Sequence, residues 1–251
     1  MAKPVALVTG AGRKVGIAAG IARTLARNGW DLALTYWTPY DERMPWGVQP
    51  GDVEELNEEL LSLGARVWST SWNLEPPESA TGLFDILRRG ADPISALILC
   101  HCESVDSGIL DTDTLTLDRH FAVNVRSSLQ LIQCFALQVP PQGGSIVALT
   151  SDHTVGNVPY GATKAALDRI VLAAARELSN LRIRANVINP GPIDTGWMDE
   201  SVRNQLILRQ PSGRLGTPND IGNCVAFLLS SEGAWINGQV LKVDGGLFRL
   251  S

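Results

Sequence analysis

Short apolar runs alternate with longer segments of helical periodicity along the chain. Residues at i, i+3 and i+4 share one face of a helix, and β-branched runs favour strands. The predicted strands are Val5–Thr9, Leu32–Tyr36, Arg66–Thr70, Ala96–Cys100, Ser145–Thr150, Ile183–Ile188 and Gln239–Val243. The predicted helices are Val15–Asn28, Val53–Leu63, Ser79–Arg89, Leu115–Leu137, Tyr160–Ser179 and Pro218–Ser230. This alternation predicts an α/β fold: a doubly wound parallel sheet of seven strands with helices on both faces, which binds ligands at the strands' carboxyl ends.

Two long connections interrupt the alternation. The segment TPYDERMPWGVQPG, residues 38–51, follows the second strand, and residues 194–213 follow the sixth. Long irregular segments in compact domains are usually lids or binding loops. We predict a substrate loop at 194–213, whereas residues 38–51 fit a binding loop and surface decoration equally well. No repeat or linker divides the chain, so residues 1–251 are interpreted as one domain.

Composition narrows the class of protein. Hydrophobic residues make up 45% of the 251 residues and charged residues 19%, which is enough apolar mass for a substantial core. A net charge of −5 without a basic block argues against a nucleic-acid partner. No apolar run approaches the ~20 residues of a membrane span, and the first strand begins without a signal peptide. We therefore expect a cytoplasmic protein with reduced cysteines.

A glycine-rich turn, TGAGRKVG, follows the first strand. Gly10, Gly12 and Gly16 permit a tight turn and close approach of the backbone to a phosphate. The following helix, predicted from Val15, offers free N–H groups and a positive dipole to a pyrophosphate. The turn favours a dinucleotide site over a purely structural bend.

Charge near this turn predicts which nicotinamide coenzyme is bound. A carboxylate at the end of the second strand would bind the ribose of NAD and repel a 2′-phosphate. That strand instead ends in Tyr36 and Trp37, while Arg13 and Lys14 in the turn can reach an added phosphate. We expect NADP(H) rather than NAD(H), and Asp41 is the residue that could reverse this preference.

The stretch VPYGATK places Tyr160 four residues before Lys164, on one face of a predicted helix. Free phenol titrates near ~10, and a neighbouring ammonium stabilises phenolate and lowers that pKa. The pair is therefore either an acid–base couple or two ordinary surface residues one turn apart.

Several motifs together resemble the short-chain dehydrogenase/reductase family in its single-domain form. Thr9-Gly10, Asn124 in HFAVN, Ser151 after the fifth strand, YGATK, NPGPIDT and GQVLKVDGG occur in the family's order over essentially the whole chain. The resemblance implies a Rossmann-type sheet and hydride transfer between NAD(P) and a carbonyl or alcohol.

The resemblance also implies roles for individual residues. Tyr160 would be the general acid, Lys164 would bind the nicotinamide ribose, Ser151 would hold the substrate oxygen and Asn124 would support a water-linked proton path. Coenzyme contacts are implied for the glycine turn and for Pro190, Gly191, Ile193 and Thr195. Asn73 and Leu74 take the place of the family's acid beside the adenine. Its usual assembly is a homotetramer or homodimer formed through the Leu115 and Tyr160 helices and the C-terminal segment.

The chain departs from the family pattern at three places. Lys14 replaces the middle glycine of TGxxxGxG, and LCHC, residues 99–102, replaces Asn-Asn-Ala-Gly after the fourth strand. Ser151 lies nine residues before Tyr160 instead of about a dozen, which predicts a more open active site.

The CHC cluster raises the question of a metal. Neighbouring strand residues point to opposite faces, so only Cys100 and Cys102 could share one side, and no second ligand pair is present. Core packing is therefore favoured and no metal is predicted.

We interpret the chain as an NADPH-preferring reductase of a small or medium carbonyl compound. The alternatives are a 3-oxoacyl thioester reductase, which the tail GRLGTPNDIGNCVAFLLS resembles, and a non-catalytic NADP-sensing binding protein.

Overall fold

A computed structural model describes residues 3–247. Its strands are β1 (Val5–Thr9), β2 (Asp31–Tyr36), β3 (Val67–Ser71), β4 (Ile94–Leu99), β5 (Gly144–Leu149), β6 (Ile183–Asn189) and β7 (Val240–Lys242). Its α-helices are α1 (Ile17–Arg27), α2 (Thr38–Glu42), α3 (Asp52–Ser62), α4 (Ser79–Leu87), α5 (Thr114–His120), α6 (Ser127–Gln138), α7 (Val158–Glu177), α8 (Glu200–Leu208) and α9 (Pro218–Leu229). A π-helical segment, Phe121–Arg126, joins α5 to α6, and a 3₁₀ turn, Ser179–Leu181, follows α7.

The strands form one parallel sheet in the order β3-β2-β1-β4-β5-β6-β7. This is the predicted seven-stranded, Rossmann-like fold. Side chains alternate between the two faces, so that Val5 and Leu7 enter one apolar layer while Ala6 and Val8 enter the other. The order reverses between β1 and β4, and ligands bind at the carboxyl ends of the strands beside such a reversal.

The predicted strands and most predicted helices occur, with ends that differ by a residue or two. The predicted helix Leu115–Leu137 was wrong as one regular element, because its middle turns are π-helical. Both long connections contain short helices that were not predicted, α2 within residues 38–51 and α8 within residues 194–213. Asp199 caps α8 by accepting a hydrogen bond from the Val202 N–H.

Within residues 3–247, no helix combines the length and apolarity that crossing a bilayer requires.

Candidate active site

Tyr160 and Lys164 lie in the first two turns of α7, beside the carboxyl end of β5. The Lys164 side chain is buried, and its Nζ donates to the Leu149 carbonyl at 2.8 Å. Nζ lies 5.6 Å from the centre of the Tyr160 ring. Ser151, the second residue after β5, hydrogen-bonds Tyr160, and its Oγ also accepts the His153 N–H at 3.1 Å. The fold therefore brings the predicted tyrosine, lysine and serine together.

The protein groups around Tyr160 raise the pKa of its phenol. Burial is the main cause and the Cys102 thiol adds to it, whereas the hydrogen bond from Ser151 lowers the pKa. The lowering of this pKa by Lys164, whose Nζ lies near the ring, stays a prediction.

Asn124 is buried in the π-helical segment, and its amide group is engaged by protein atoms. Its Oδ1 accepts the Glu103 N–H at 2.7 Å, while Nδ2 donates to the Glu103 carbonyl and to Thr163 Oγ1, both at 2.9 Å. The side chain thus ties the segment after β4 to α7. The predicted role of Asn124 in a water-linked proton path stays a prediction.

The glycine turn between β1 and α1 depends on the absence of a side chain at Gly10. Gly10 has a φ of +76°, and a Cβ there would come within 2.9 Å of the His101 backbone. Helix α1 begins after Gly16 without a side-chain cap or an acid in its first turn. Its N–H groups therefore retain hydrogen-bonding capacity for an anion.

The charged residues of the turn have protein partners. The Lys14 ammonium pairs with Glu55 at 2.6 Å and Asp52 at 3.7 Å, and so faces α3. Its predicted contact with a coenzyme phosphate stays a prediction. The Val15 side chain, which follows, is about half exposed.

Arg13 points in another direction, across the cleft. Its Nη2 donates to the Thr195 carbonyl at 2.8 Å and its guanidinium lies 4.9 Å from the centre of the Trp46 ring. Asp41 accepts a hydrogen bond from Trp46 Nε1 and lies so close to the turn that a Cβ on Gly12 would be 3.2 Å from its Oδ2. Burial raises the pKa of Asp41, and both Trp46 and the Arg13 charge oppose that rise. The end of β2 therefore has no carboxylate, but Asp41 of α2 brings one close to the glycine turn.

The segment after β6 lies opposite the glycine turn. Gly191, with a φ of +62°, donates its N–H to Asn189 Oδ1 at 3.2 Å, directly after the buried Pro190. Ile193 is buried and pairs with Gly216 in an isolated bridge. Thr195 is buried and reaches the turn through Arg13.

The residues predicted near the adenine differ in their surroundings. Asn73 uses its Oδ1 to accept the Glu75 N–H at 2.8 Å, which forms a tight turn after β3. Leu74 is buried at the edge of an apolar layer, and its predicted contact with the coenzyme stays a prediction. Tyr36 ends β2 beside Gly12.

His101 links three elements in a way that sequence reasoning missed. Its Nδ1 is 2.7 Å from Thr9 Oγ1, and its Nε2 is 3.1 Å from the Val123 carbonyl and 2.9 Å from Ser127 Oγ. No group of three or more His, Cys, Asp or Glu side chains within residues 3–247 is arranged to hold a metal. The position of His101 between two cysteines was the sequence signal that could have indicated this role, because a buried polar ring needs hydrogen-bond partners.

Comparisons with known proteins give the family to which the chain belongs. Residues 10–248 match the family model described as enoyl-(acyl carrier protein) reductase. The chain is 33% identical to the uncharacterized oxidoreductase YjdA of Bacillus subtilis, covering 98% of this chain and 97% of that protein. It is 30% identical to 1-cyclohexenylcarbonyl-CoA reductase of Streptomyces collinus, covering 98% and 87% of the two chains.

Solved structures give the same result. The angucycline C-6 ketoreductase LanV with bound NADP superimposes with a TM-score of 0.85 at 29% identity, covering 97% of this chain and 95% of that one. A short-chain dehydrogenase from Burkholderia cenocepacia in complex with NADP gives 0.86 at 27% identity, covering 98% of each chain. The protein is thus an oxidoreductase of the short-chain dehydrogenase/reductase family.

Proposed function

We propose that the protein reduces a small or medium carbonyl compound with NADPH, using Tyr160 as the general acid. The observation that carries the proposal is the cluster at the carboxyl end of β5. There the Tyr160 phenol is hydrogen-bonded by Ser151, and the buried Lys164 ammonium lies 5.6 Å from the ring. A phenol, a hydroxyl and a buried cation suit proton donation to an oxygen that gains negative charge.

The residues present fit a dinucleotide. Helix α1 begins after Gly16 without a side-chain cap, and its first turn has no acid to repel a pyrophosphate. Pro190, Gly191, Ile193 and Thr195 would flank the nicotinamide end, and Tyr36, Asn73 and Leu74 the adenosine end. When bound, the coenzyme supplies the hydride.

The chain's own residues handle the proton. Tyr160 donates its phenolic proton to the carbonyl oxygen, and the Ser151 hydroxyl donates a hydrogen bond to the same oxygen. Lys164 remains charged beside the phenolate that is left and stabilises it. Asn124 keeps α7 aligned with the segment after β4 through its bonds to Thr163 and Glu103.

A Tyr160→Phe variant tests the proposal. It removes the proton donor and keeps the ring, so kcat for carbonyl reduction should fall by about 10²–10⁴-fold. The loss of NADPH absorbance with a panel of ketones and aldehydes measures the rate, and NADPH fluorescence measures binding, which should be retained. Full activity in the variant would refute the assigned role.

The positive charge of Arg13 in the glycine turn supports a preference for NADPH. Two similar solved structures, which contain bound NADP, support it as well. Asp41 acts against it, because its carboxylate lies beside Gly12. We expect Arg13→Gln to weaken NADPH binding about tenfold while NADH binding changes less, since only NADPH carries the extra phosphate. Dissociation constants from fluorescence titration check this, with the exposed Arg27→Gln as control. Equal weakening for both coenzymes would argue against the preference.

A thioester substrate is the second candidate. The Streptomyces collinus relative is named as a reductase of a CoA thioester, and the family model carries an acyl carrier protein name. Comparing kcat/KM for a 3-oxoacyl thioester with that for the free ketone distinguishes the two. A binding protein without turnover is disfavoured by the relatives, which are named as oxidoreductases and reductases.

We also propose a homotetramer or homodimer in the cytoplasm. Support for the assembly comes from exposed apolar side chains on the helices that the family uses, including Leu115, Phe121 and Leu129. Near β7, Trp235 and Val240 are exposed as well. The remaining C-terminal residues, 248–251, lie outside the described part of the chain.

A further inference from the structure

A two-point ion pair joins the segment after β2 to the segment after β4. Arg43 Nη1 donates to Glu103 Oε1 at 3.0 Å and Nη2 donates to Oε2 at 2.9 Å. The Glu103 side chain is only 5% exposed, whereas that of Arg43 is 41% exposed. Since β1 lies between β2 and β4, this pair spans the carboxyl end of the strand that carries the glycine turn.

Neighbouring contacts hold both partners in place. The Arg43 guanidinium lies 5.5 Å from the centre of the Tyr40 ring, and Tyr40 Oη donates to the Ser104 carbonyl at 3.3 Å. Helix α2 and the residue after it are thus fastened to Glu103 and to Ser104. A bidentate arginine–carboxylate pair restricts orientation as well as position.

The backbone of Glu103 is in turn held by Asn124. The Asn124 amide accepts the Glu103 N–H at 2.7 Å and donates to the Glu103 carbonyl at 2.9 Å. These two bonds fix the peptide groups on both sides of the carboxylate to the π-helical segment. A movement of the Glu103 side chain toward water would therefore pull on Asn124.

The same amide continues the network into the catalytic helix. Asn124 Nδ2 donates to Thr163 Oγ1 at 2.9 Å. That hydroxyl lies 2.8 Å from the Pro159 carbonyl and 3.0 Å from the Tyr160 carbonyl, to which it can donate. Arg43 is thus connected to the Tyr160 carbonyl through hydrogen bonds that pass by way of Glu103, Asn124 and Thr163.

We infer that Arg43 and Glu103 are positioning residues for the reduction, acting through Asn124 and Thr163 on the turn that carries Tyr160. The inference rests on the proposed function, because it assigns these residues to the same active site. Without the Arg43 cation, the Glu103 carboxylate is left unpaired in a site with little access to water. Moving the carboxylate outward into water removes this destabilisation. The Tyr160 turn then loses its alignment with the substrate oxygen, which lowers the rate of the chemical step more than substrate binding.

Kinetics of three variants test the inference. Arg43→Gln should lower kcat about tenfold with KM for the carbonyl within about twofold, because misalignment affects the transition state most. The double variant Arg43→Gln/Glu103→Gln should recover much of that loss, since no unpaired charge remains. Arg88→Gln is the matched control, because it breaks the exposed pair with Asp85 on α4 and should leave kcat unchanged.

Hydrogen exchange supplies a readout that does not depend on activity. In Arg43→Gln, amides in peptides covering residues 100–107 and 121–126 should exchange several-fold faster than in the parent protein, while α4 is unchanged. If the parent protein reduces no carbonyl, the proposed function fails, but the exchange result still tests the coupling. Arg43→Lys, which keeps the charge, should show a smaller increase.

The outcomes separate clearly. Faster exchange with an unchanged kcat would make the pair a purely structural contact and overturn the positioning role. A lower kcat with unchanged exchange would overturn the route through Asn124. Losses that multiply in the double variant would show that the two side chains act independently.

Discussion

At the scale of single residues, His101 shows how one side chain can hold the carboxyl end of a strand in place by hydrogen bonds. The Val123 carbonyl can only accept a hydrogen bond, which assigns the ring proton to Nε2. Nδ1 then accepts from the Thr9 hydroxyl. The ring thus connects β1, the segment after β4 and the π-helical segment in its neutral form.

We predict a pH-dependent stability from His101. Burial, helped by the Lys164 charge, lowers its pKa from 6.5 to about 3. The unfolded chain therefore binds this proton first as the pH falls, and the folded state loses up to about 1.4 kcal/mol per pH unit between pH 6.5 and 3. Urea unfolding over this range should give a shallower decline for His101→Asn. The exposed His153→Asn serves as control, and parallel curves for parent and His101→Asn would contradict the prediction.

Tyr160 illustrates what residue types alone leave open. The spacing of Tyr160 and Lys164 was recognisable in the sequence, and the structure brings them together. The effect of the surroundings on the pKa of the phenol could not be recognised in the sequence, because burial and Cys102 act through space. Arg43 and Glu103 were missed for the same reason, since they are 60 positions apart in the chain.

At the scale of elements, the main difference from the sequence interpretation lies between α5 and α6. Apolar residues continue with near-helical spacing through Phe121–Arg126, so the pattern predicts an uninterrupted helix. The π-helical turns occur where Asn124 bonds the Glu103 backbone and Thr163. π-Helical turns commonly occur at functional sites.

Close contact between α1 and α9 depends on glycine. A Cβ on Gly20 would lie 2.4 Å from Pro218 Cβ and 2.6 Å from its carbonyl carbon. We predict that Gly20→Ala lowers the free energy of unfolding by about 1–3 kcal/mol, because the overlap outweighs the ~1 kcal/mol helix preference for alanine. Denaturant unfolding measures the change.

Gly90, in the turn after α4, provides the control for this substitution. At Gly90 an added Cβ would meet Trp68 Nε1 at an ordinary 3.5 Å, so Gly90→Ala should change stability little. Equal effects at the two glycines would mean that the α1–α9 approach is not close-packed at Gly20.

At the scale of the whole molecule, exposed apolar side chains predict self-association. Leu129 on α6 is 41% exposed. We expect Leu129→Lys to shift the assembly toward smaller species, because a charge would be buried in the interface. Light scattering after size exclusion measures the mass. Leu61→Lys, on α3 and 55% exposed, is the control, and a monomeric parent protein at micromolar concentration would contradict the proposal.

The sequence by itself determined the strands, most of the helices, the parallel sheet and the residues of the glycine turn and the YGATK segment. Those features are encoded by local periodicity and by turn residues, which act over a few positions. Only the tertiary structure decided that Lys14 pairs with Glu55, that Asp41 reaches Gly12 and that Arg43 is joined through Glu103 to Asn124. Such pairings depend on strand order and on the path of long connections, and the chain pattern does not specify either.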